Sequence, residues 1–199
     1  MQVDLFGDAA ADATATWPTG LHYVPDFLSR PERDVLLHRI DATPWRADLR
    51  RRVQHYGWRY DYRSRRVAPS DRIGPLPYWL GAIAADLARD GHFGRVPDQA
   101  IVNEYLAGQG IAAHVDCEPC FGGVVASLSL GSPVLMELAP LGGCEQISVD
   151  LAPGSLLVLS GEVRHAWTHS IAARKSDVIG GVRRPRGRRV SVTFRTVRV

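Results

Sequence analysis

An α+β fold built around an antiparallel sandwich or barrel is predicted by three features of the 199-residue sequence. Helical periodicity is confined to the segment before Gly91. After Gly91 the apolar period changes from 3.6 to 2. The alternating stretches are short and separated by Gly/Pro punctuation at "LGSP", "APLGG" and "APGS". Two helices followed by regularly spaced short strands suit a helix layer on an antiparallel sheet. The length allows one well-buried domain, with neither repeats nor an internal boundary.

Residues 1–20, rich in Ala, Asp and Thr, read as a flexible tail, which leaves 21–199 as the domain. "SRPERDVLLHRI" opens a helix, because Ser29 and Glu32 have capping-box spacing and Pro31 sits in the first turn. A second helix is predicted over 76–90, where Leu76, Trp79, Leu80, Ile83 and Leu87 share a face and Gly91 ends it. Strands follow. "VVASLSL" puts Val124, Ala126, Leu128 and Leu130 on one side and Ser127 and Ser129 on the other, and "QISVDL" alternates Ile147, Val149 and Leu151 with polar residues. "SLLVLSG" and "RRVSVTFRTVRV" complete the series.

Hydrophobic content of 45% and charge of 23% are those of a soluble globular protein. No apolar run approaches a membrane span. The first twenty residues carry acids where a signal peptide needs bases, so a reducing cytoplasm is expected, and three cysteines argue against a disulfide framework. Cys117-x-x-Cys120 lacks the partners for a four-cysteine zinc site and reads as a loop. Lys175 is the only lysine; the other basic residues are arginines, crowded into 46–67 and "RRPRGRR" (183–189). The first cluster interleaves Arg51, Arg52, Arg65 and Arg66 with His55, Tyr56, Trp58, Tyr60 and Tyr62. That mixture suits either a nucleic acid with an exposed base or a solvated face.

The chemistry centres on "NEYLAGQGIAAHVD" (103–116). In an extended segment His114 and Asp116 project to one side and can chelate one ion. An H-x-D pair alone is common, so a third ligand is required; His165 and His169 in "GEVRHAWTHSI" are the candidates. Two imidazoles and one carboxylate on one face leave three open metal positions, the arrangement of non-haem Fe(II) oxygenases. In "RRVSVTFR", Arg189, Ser191, Thr193 and Arg195 share one parity and Val190, Val192 and Phe194 the other. An apolar face backing two arginines is a sensible wall for a dianion.

Together, "NEYLAGQGIAAHVD", "WTHSI" and "RRVSVTFR" resemble the AlkB family of Fe(II)/2-oxoglutarate dioxygenases, over roughly residues 100 to 196; "RRVQHYGWRYDY" (51–62) resembles a substrate-facing segment of its members. The resemblance implies a double-stranded β-helix, a jelly-roll, cupin-like barrel with N-terminal helices packed against it. It makes His114, Asp116 and His169 the ligands of Fe(II). It makes Asn103, Tyr105, Arg189, Ser191 and Arg195 contacts to 2-oxoglutarate, Ser191 standing where many members have Asn. Glu118 matches an acidic position that faces the damaged base, and Tyr56, Trp58, Tyr60, Arg51 and Arg52 complete the expected substrate contacts. The implied reaction consumes O2 and 2-oxoglutarate, yields succinate and CO2, and hydroxylates an N-alkyl carbon that leaves as an aldehyde.

The substrate class this implies is alkylated single-stranded DNA or RNA. A tRNA-modifying or protein-directed oxygenase of the same family is the alternative; a cupin-like barrel that binds without turnover is a third reading. Finally, Gln2-Val3-Asp4-Leu5-Phe6 resembles the Q-x-[D/S]-L-F pentapeptide by which bacterial proteins dock on the DNA sliding clamp. Leu5 and Phe6 are the apolar anchors such a pocket would take and Gln2 the polar one.

Overall fold

The computed structural model describes residues 17–47 and 49–199; the Gln2–Phe6 pentapeptide and residues 1–16 of the segment read as a tail lie outside the described residues. Within 17–20, the carbonyls of Pro18, Thr19 and Gly20 accept hydrogen bonds from the amides of Leu21, Val163 and Ser160. The first elements are β1 (Leu21–Val24), α1 (Arg30–Asp41), β2 (Val53–Tyr56), α2 (Tyr78–Arg89), β3 (Gln99–Tyr105) and β4 (Ile111–His114). Then come β5 (Phe121–Gly131), β6 (Val134–Pro140), β7 (Ile147–Leu151), β8 (Leu156–Ser160), α3 (Gly161–Ala166) and β9 (Trp167–Ile171). The chain closes with β10 (Ser176–Ile179), β11 (Val182–Pro185) and β12 (Arg189–Val197).

Strands run β1-β8-β5-β12-β3-β2 in a six-stranded sheet and β4-β9-β6-β7 in a four-stranded one, and every pairing is antiparallel. The fold is the jelly-roll barrel the motifs implied, with α1 and α2 on the outer face of the large sheet. Leu36, Ile40, Leu80, Ala84 and Leu87 of these helices bury against Ala100, Val102, Leu128, Val190, Val192 and Phe194. β12 is therefore buried on both faces, apolar beneath the helices and polar toward the barrel interior. A second apolar core, including Met136, Leu138, Val149, Leu157, Leu159 and Ile171, closes the β7/β8 end between the sheets. No helix among the described residues is long and apolar enough to cross a membrane.

Local chemistry explains the boundaries. The Ser29 amide and hydroxyl both bond the Glu32 carboxylate, tying off the start of α1. α2 begins at Tyr78, not 76, because Leu76 precedes Pro77 and is steered out of the helical region. Gly91, at φ +80, ends it. β1, β2, β3, β6, β9 and the β10–β11 ribbon are additions to the predicted strands. β6 did carry a period-2 signal: Val134, Met136 and Leu138 are buried while Leu135 and Glu137 are half-buried.

The second arginine cluster is not a free basic face. Arg186, 8% exposed, donates two bonds of 2.7 and 2.6 Å to the fully buried Asp177, which also accepts from Arg174 Nε at 2.8 Å. Burial alone would raise the Asp177 pKa, but the two guanidiniums and the Leu135 amide hold it at about 2. Arg184 pairs with Asp150, and Arg188 with Asp41 and Glu104. Asp177→Asn removes the charge and leaves Arg186 buried without its partner. Such a break costs ~3–5 kcal/mol, to be read from urea unfolding; a loss below about 1 kcal/mol, the worth of a surface pair, would show that the cluster does not hold the ribbon.

Candidate active site

β4 and β9 pair so that His114 lies directly opposite His169, their ring centroids 4.3 Å apart. Gly110 permits this approach: a Cβ there would sit 2.1 Å from the Ile171 carbonyl. The His114 Nδ1–H donates to the Ala112 carbonyl at 2.8 Å, which leaves Nε2 with its lone pair. Asp116 Oδ1 lies 3.6 Å from that Nε2 and 4.0 Å from Nε2 of His169. Arg195 Nε takes the other carboxylate oxygen at 2.8 Å. One ligand atom from each of His114, Asp116 and His169 falls within 4.8 Å of the others.

The electrostatics suit a cation. Burial would raise the Asp116 pKa, yet the Arg195 guanidinium beside it holds it well below the usual carboxylate range. Burial pushes His169 down to about 4, against the pull of Asp116, so the imidazole is neutral at pH 7. Two imidazoles and one carboxylate are the donor set of a facial triad.

The large sheet builds the wall beside this group. Tyr105 and Asn103 of β3 oppose Arg189 and Ser191 of β12, and Ser191 opposes Ser129 of β5. Direct cross-strand neighbours share a face, so Asn103, Tyr105, Arg189 and Ser191 line one cavity of about 300 Å³ with the triad, and Ser129 stands on the same face behind Arg189. Arg189 is 3% exposed; its Nη2 donates to Ser129 Oγ at 3.0 Å, and its Nε is buried with no partner. Burial lowers its pKa to about 10, which still leaves it cationic at neutral pH. A buried, partly unpartnered guanidinium at the back of a cavity is built for a carboxylate.

Comparison with known proteins decides what this arrangement is. The family model described as "2OG-Fe(II) oxygenase superfamily" matches residues 20–195. The chain belongs to that superfamily. The "alkylated DNA repair protein ALKBH8 homolog" of Arabidopsis thaliana is 36% identical over 202 residues, 90% of this chain and 58% of its own. The "tRNA (carboxymethyluridine(34)-5-O)-methyltransferase ALKBH8" of Mus musculus is 35% identical over 91% of this chain, which spans 31% of its length. The solved structure of OsALKBH1 superimposes with a TM-score of 0.67 at 21% identity, covering 89% of this chain and 96% of that one. The chain is thus an AlkB-family 2-oxoglutarate oxygenase, a class whose reaction uses Fe(II), 2-oxoglutarate and O2.

Seen as an AlkB-family site, the cavity brings together His114, Asp116, His169, Asn103, Tyr105, Arg189, Ser191 and Arg195. Arg195 lines it as a partner of Asp116, with its guanidinium stacked 4.8 Å over the Phe121 ring. The expected substrate contacts divide. Arg51 and Tyr60 line the cavity, with Arg51 Nε donating to Asn103 Oδ1 at 2.9 Å. Arg52, Tyr56 and Trp58 do not. Along β2, Val53 and His55 register with the cavity-side positions Asn103 and Ile101, and Gln54 and Tyr56 with the helix-side Val102 and Ala100. Tyr56 accordingly packs edge-on against Trp79, and Arg52 pairs with Glu104 over the Trp45 ring. Trp58 joins Cys120, Phe121 and Val197 in a small separate core.

Glu118 lies outside the main cavity, 3.3 Å from His165 at a shallower opening shared with Arg65, Cys117 and Arg198. The cysteine reading also needs correction: Cys117 and Cys120 form a disulfide and only Cys144 is free. The tight turn after Asp116, in which the Cys120 and Phe121 amides both bond the Cys117 carbonyl, brings the two together. Tyr62, which closes the 51–62 segment, and Arg65 of the first arginine cluster also line the cavity; Ser129, which holds Arg189, was not singled out, though strand parity with Ser191 could have found it.

Proposed function

We propose that this chain is an oxidative dealkylase of nucleic-acid bases, acting on an extruded or single-stranded nucleotide. One observation carries the reading: the His114/Asp116/His169 group and the unpartnered Arg189 Nε share a cavity lined also by Arg51, Tyr60, Tyr62 and Arg65. In this reading the triad holds Fe(II), which when bound supplies the oxygen activation that turns 2-oxoglutarate into succinate and CO2 and hydroxylates the alkyl carbon. Arg189 pairs the cosubstrate's far carboxylate, with Ser129 holding its guanidinium in place and Tyr105 beneath it. Ser191 and Asn103 complete that wall. Arg195 occupies one oxygen of Asp116, leaving the other turned to the imidazoles. Tyr60 and Tyr62, edge to face at 5.1 Å, offer an aromatic surface to an unstacked base, and Arg65 is placed for a phosphate. The hydroxylated N-alkyl group then leaves as an aldehyde.

The test is turnover by the pure protein with Fe(II), 2-oxoglutarate and ascorbate on methylated single-stranded DNA, RNA and tRNA offered separately. Succinate and formaldehyde formed in step with loss of the base methyl group support dealkylation. Succinate without aldehyde, on tRNA alone, favours the second reading, hydroxylation of a tRNA nucleoside, which the tRNA-directed name of the mouse relative motivates. No turnover on any nucleic acid points to a protein substrate. Arg65→Ala is expected to weaken nucleic-acid binding and lower its log–log salt slope by about one. An unchanged slope would remove Arg65 from the binding face.

The Gln2–Phe6 pentapeptide adds a docking segment for a bacterial sliding clamp to this reading. Micromolar binding of the N-terminal peptide to such a clamp, lost when Leu5 and Phe6 become Ala, would support it and favour DNA as substrate; no binding by the natural peptide ends it.

A further inference from the structure

Arg164, in the short helix α3, is 2% exposed, and the sequence reading passed over it in favour of His165 and His169. Its Nη1 donates to the main-chain carbonyl of Asp116 at 3.1 Å, while Nε and Nη2 are buried without partners. Placing a guanidinium in such a position is expensive, because each buried donor without an acceptor has given up its water for nothing in return. An aliphatic side chain of the same length would satisfy the packing at no such cost. A stability role is therefore a poor account of this residue, and what it touches is a better one.

Asp116 lies beyond the end of β4, in a stretch with no ladder hydrogen bonds to fix its backbone. Its carboxylate is steadied from one side by Arg195. Its carbonyl is steadied by Arg164, and Arg164 stands five residues before His169, on the segment that leads directly into β9. The guanidinium is thus a strut between the two chain segments that carry the H-x-D pair and the distal histidine. We propose that Arg164 is a positioning residue for the metal group, holding the Asp116 backbone so that its carboxylate faces both imidazoles. The proposal rests on the reading of His114, Asp116 and His169 as metal ligands.

The experiment compares the natural chain with Arg164→Met and Arg164→Lys by Co(II) titration, 2-oxoglutarate KM and thermal unfolding of the metal-free protein. Partners beyond the ligands themselves typically contribute about 10- to 100-fold to metal affinity. Arg164→Met is expected to weaken Co(II) binding by that factor and alter the ligand-field spectrum of the bound ion. Its metal-free Tm should be equal or higher and its KM for 2-oxoglutarate unchanged. Arg164→Lys, which keeps a charge and a donor, is expected to lie between the two, and it decides the matter if Arg164→Met does not fold. Co(II) affinity and spectrum equal to those of the natural chain in both variants, or in the lysine variant alone where the methionine one fails to fold, would overturn the proposal. Failure of the natural chain to bind Co(II) or Fe(II) at all would overturn the ligand reading beneath it.

Discussion

His169→Ala is expected to abolish succinate formation and Fe(II) binding while leaving the fold intact. Three donors on one face leave no spare ligand, and the metal group lies in a barrel whose two apolar cores do not include it. The variant should even gain stability in mild acid. Burial holds the imidazole neutral down to about pH 4, whereas in the unfolded chain it protonates near 6.5. The folded state therefore loses stability as pH falls through that window, and alanine has nothing to protonate. His165→Ala is the control. His165 is 40% exposed and paired with Glu118 across solvent, so its loss should leave turnover nearly unchanged. An inactive His165→Ala beside an active His169→Ala would mean that the distal ligand is misassigned.

Arg189→Met is expected to raise the 2-oxoglutarate requirement by one to two orders of magnitude and to leave the cosubstrate-free protein as stable as before, or more so. A charge-assisted contact to a carboxylate is worth ~1.5–3 kcal/mol, which is about 10- to 150-fold. The stability half follows from what Arg189 lacks. Without a carboxylate its Nε is a buried donor with no acceptor among the described residues, and its Nη2 bonds Ser129, so a methionine of similar length relieves a cost. The natural chain's Tm should climb with added 2-oxoglutarate, and that climb should vanish in the variant. A variant that loses stability yet keeps its 2-oxoglutarate dependence would show that Arg189 is a structural residue.

Much of the site was legible because strands impose a period of two. Alternation put Arg189, Ser191 and Arg195 on one side of β12 and Val190, Val192 and Phe194 on the other, and the barrel interior and helix layer occupy those two sides. The same rule was available for residues 51–56, where Arg51 falls on the cavity side and Arg52 and Tyr56 on the helix side. Reading that stretch as one mixed aromatic and basic face overlooked it. The "RRPRGRR" cluster could not be resolved from composition: its acidic partners, Asp41, Glu104, Asp150 and Asp177, stand up to 147 positions away. Composition registers charge but not pairing.

From residue types and spacing came an antiparallel sandwich or barrel, the H-x-D pair, two candidate distal histidines and the arginine strand, since each is a local pattern that backbone geometry turns into a shared face; the resemblance to the AlkB family implied the jelly roll and chose His169. Only the tertiary structure decided which long-range neighbour each charge meets. Arg195 answers Asp116 across 79 positions and Arg164 reaches the same residue's carbonyl across 48. Arg189 is left with a buried Nε that finds no partner among the described residues. The free energy of a buried charge depends on what lies within a few ångströms in space, and for these three arginines that neighbourhood is assembled only when the two sheets close.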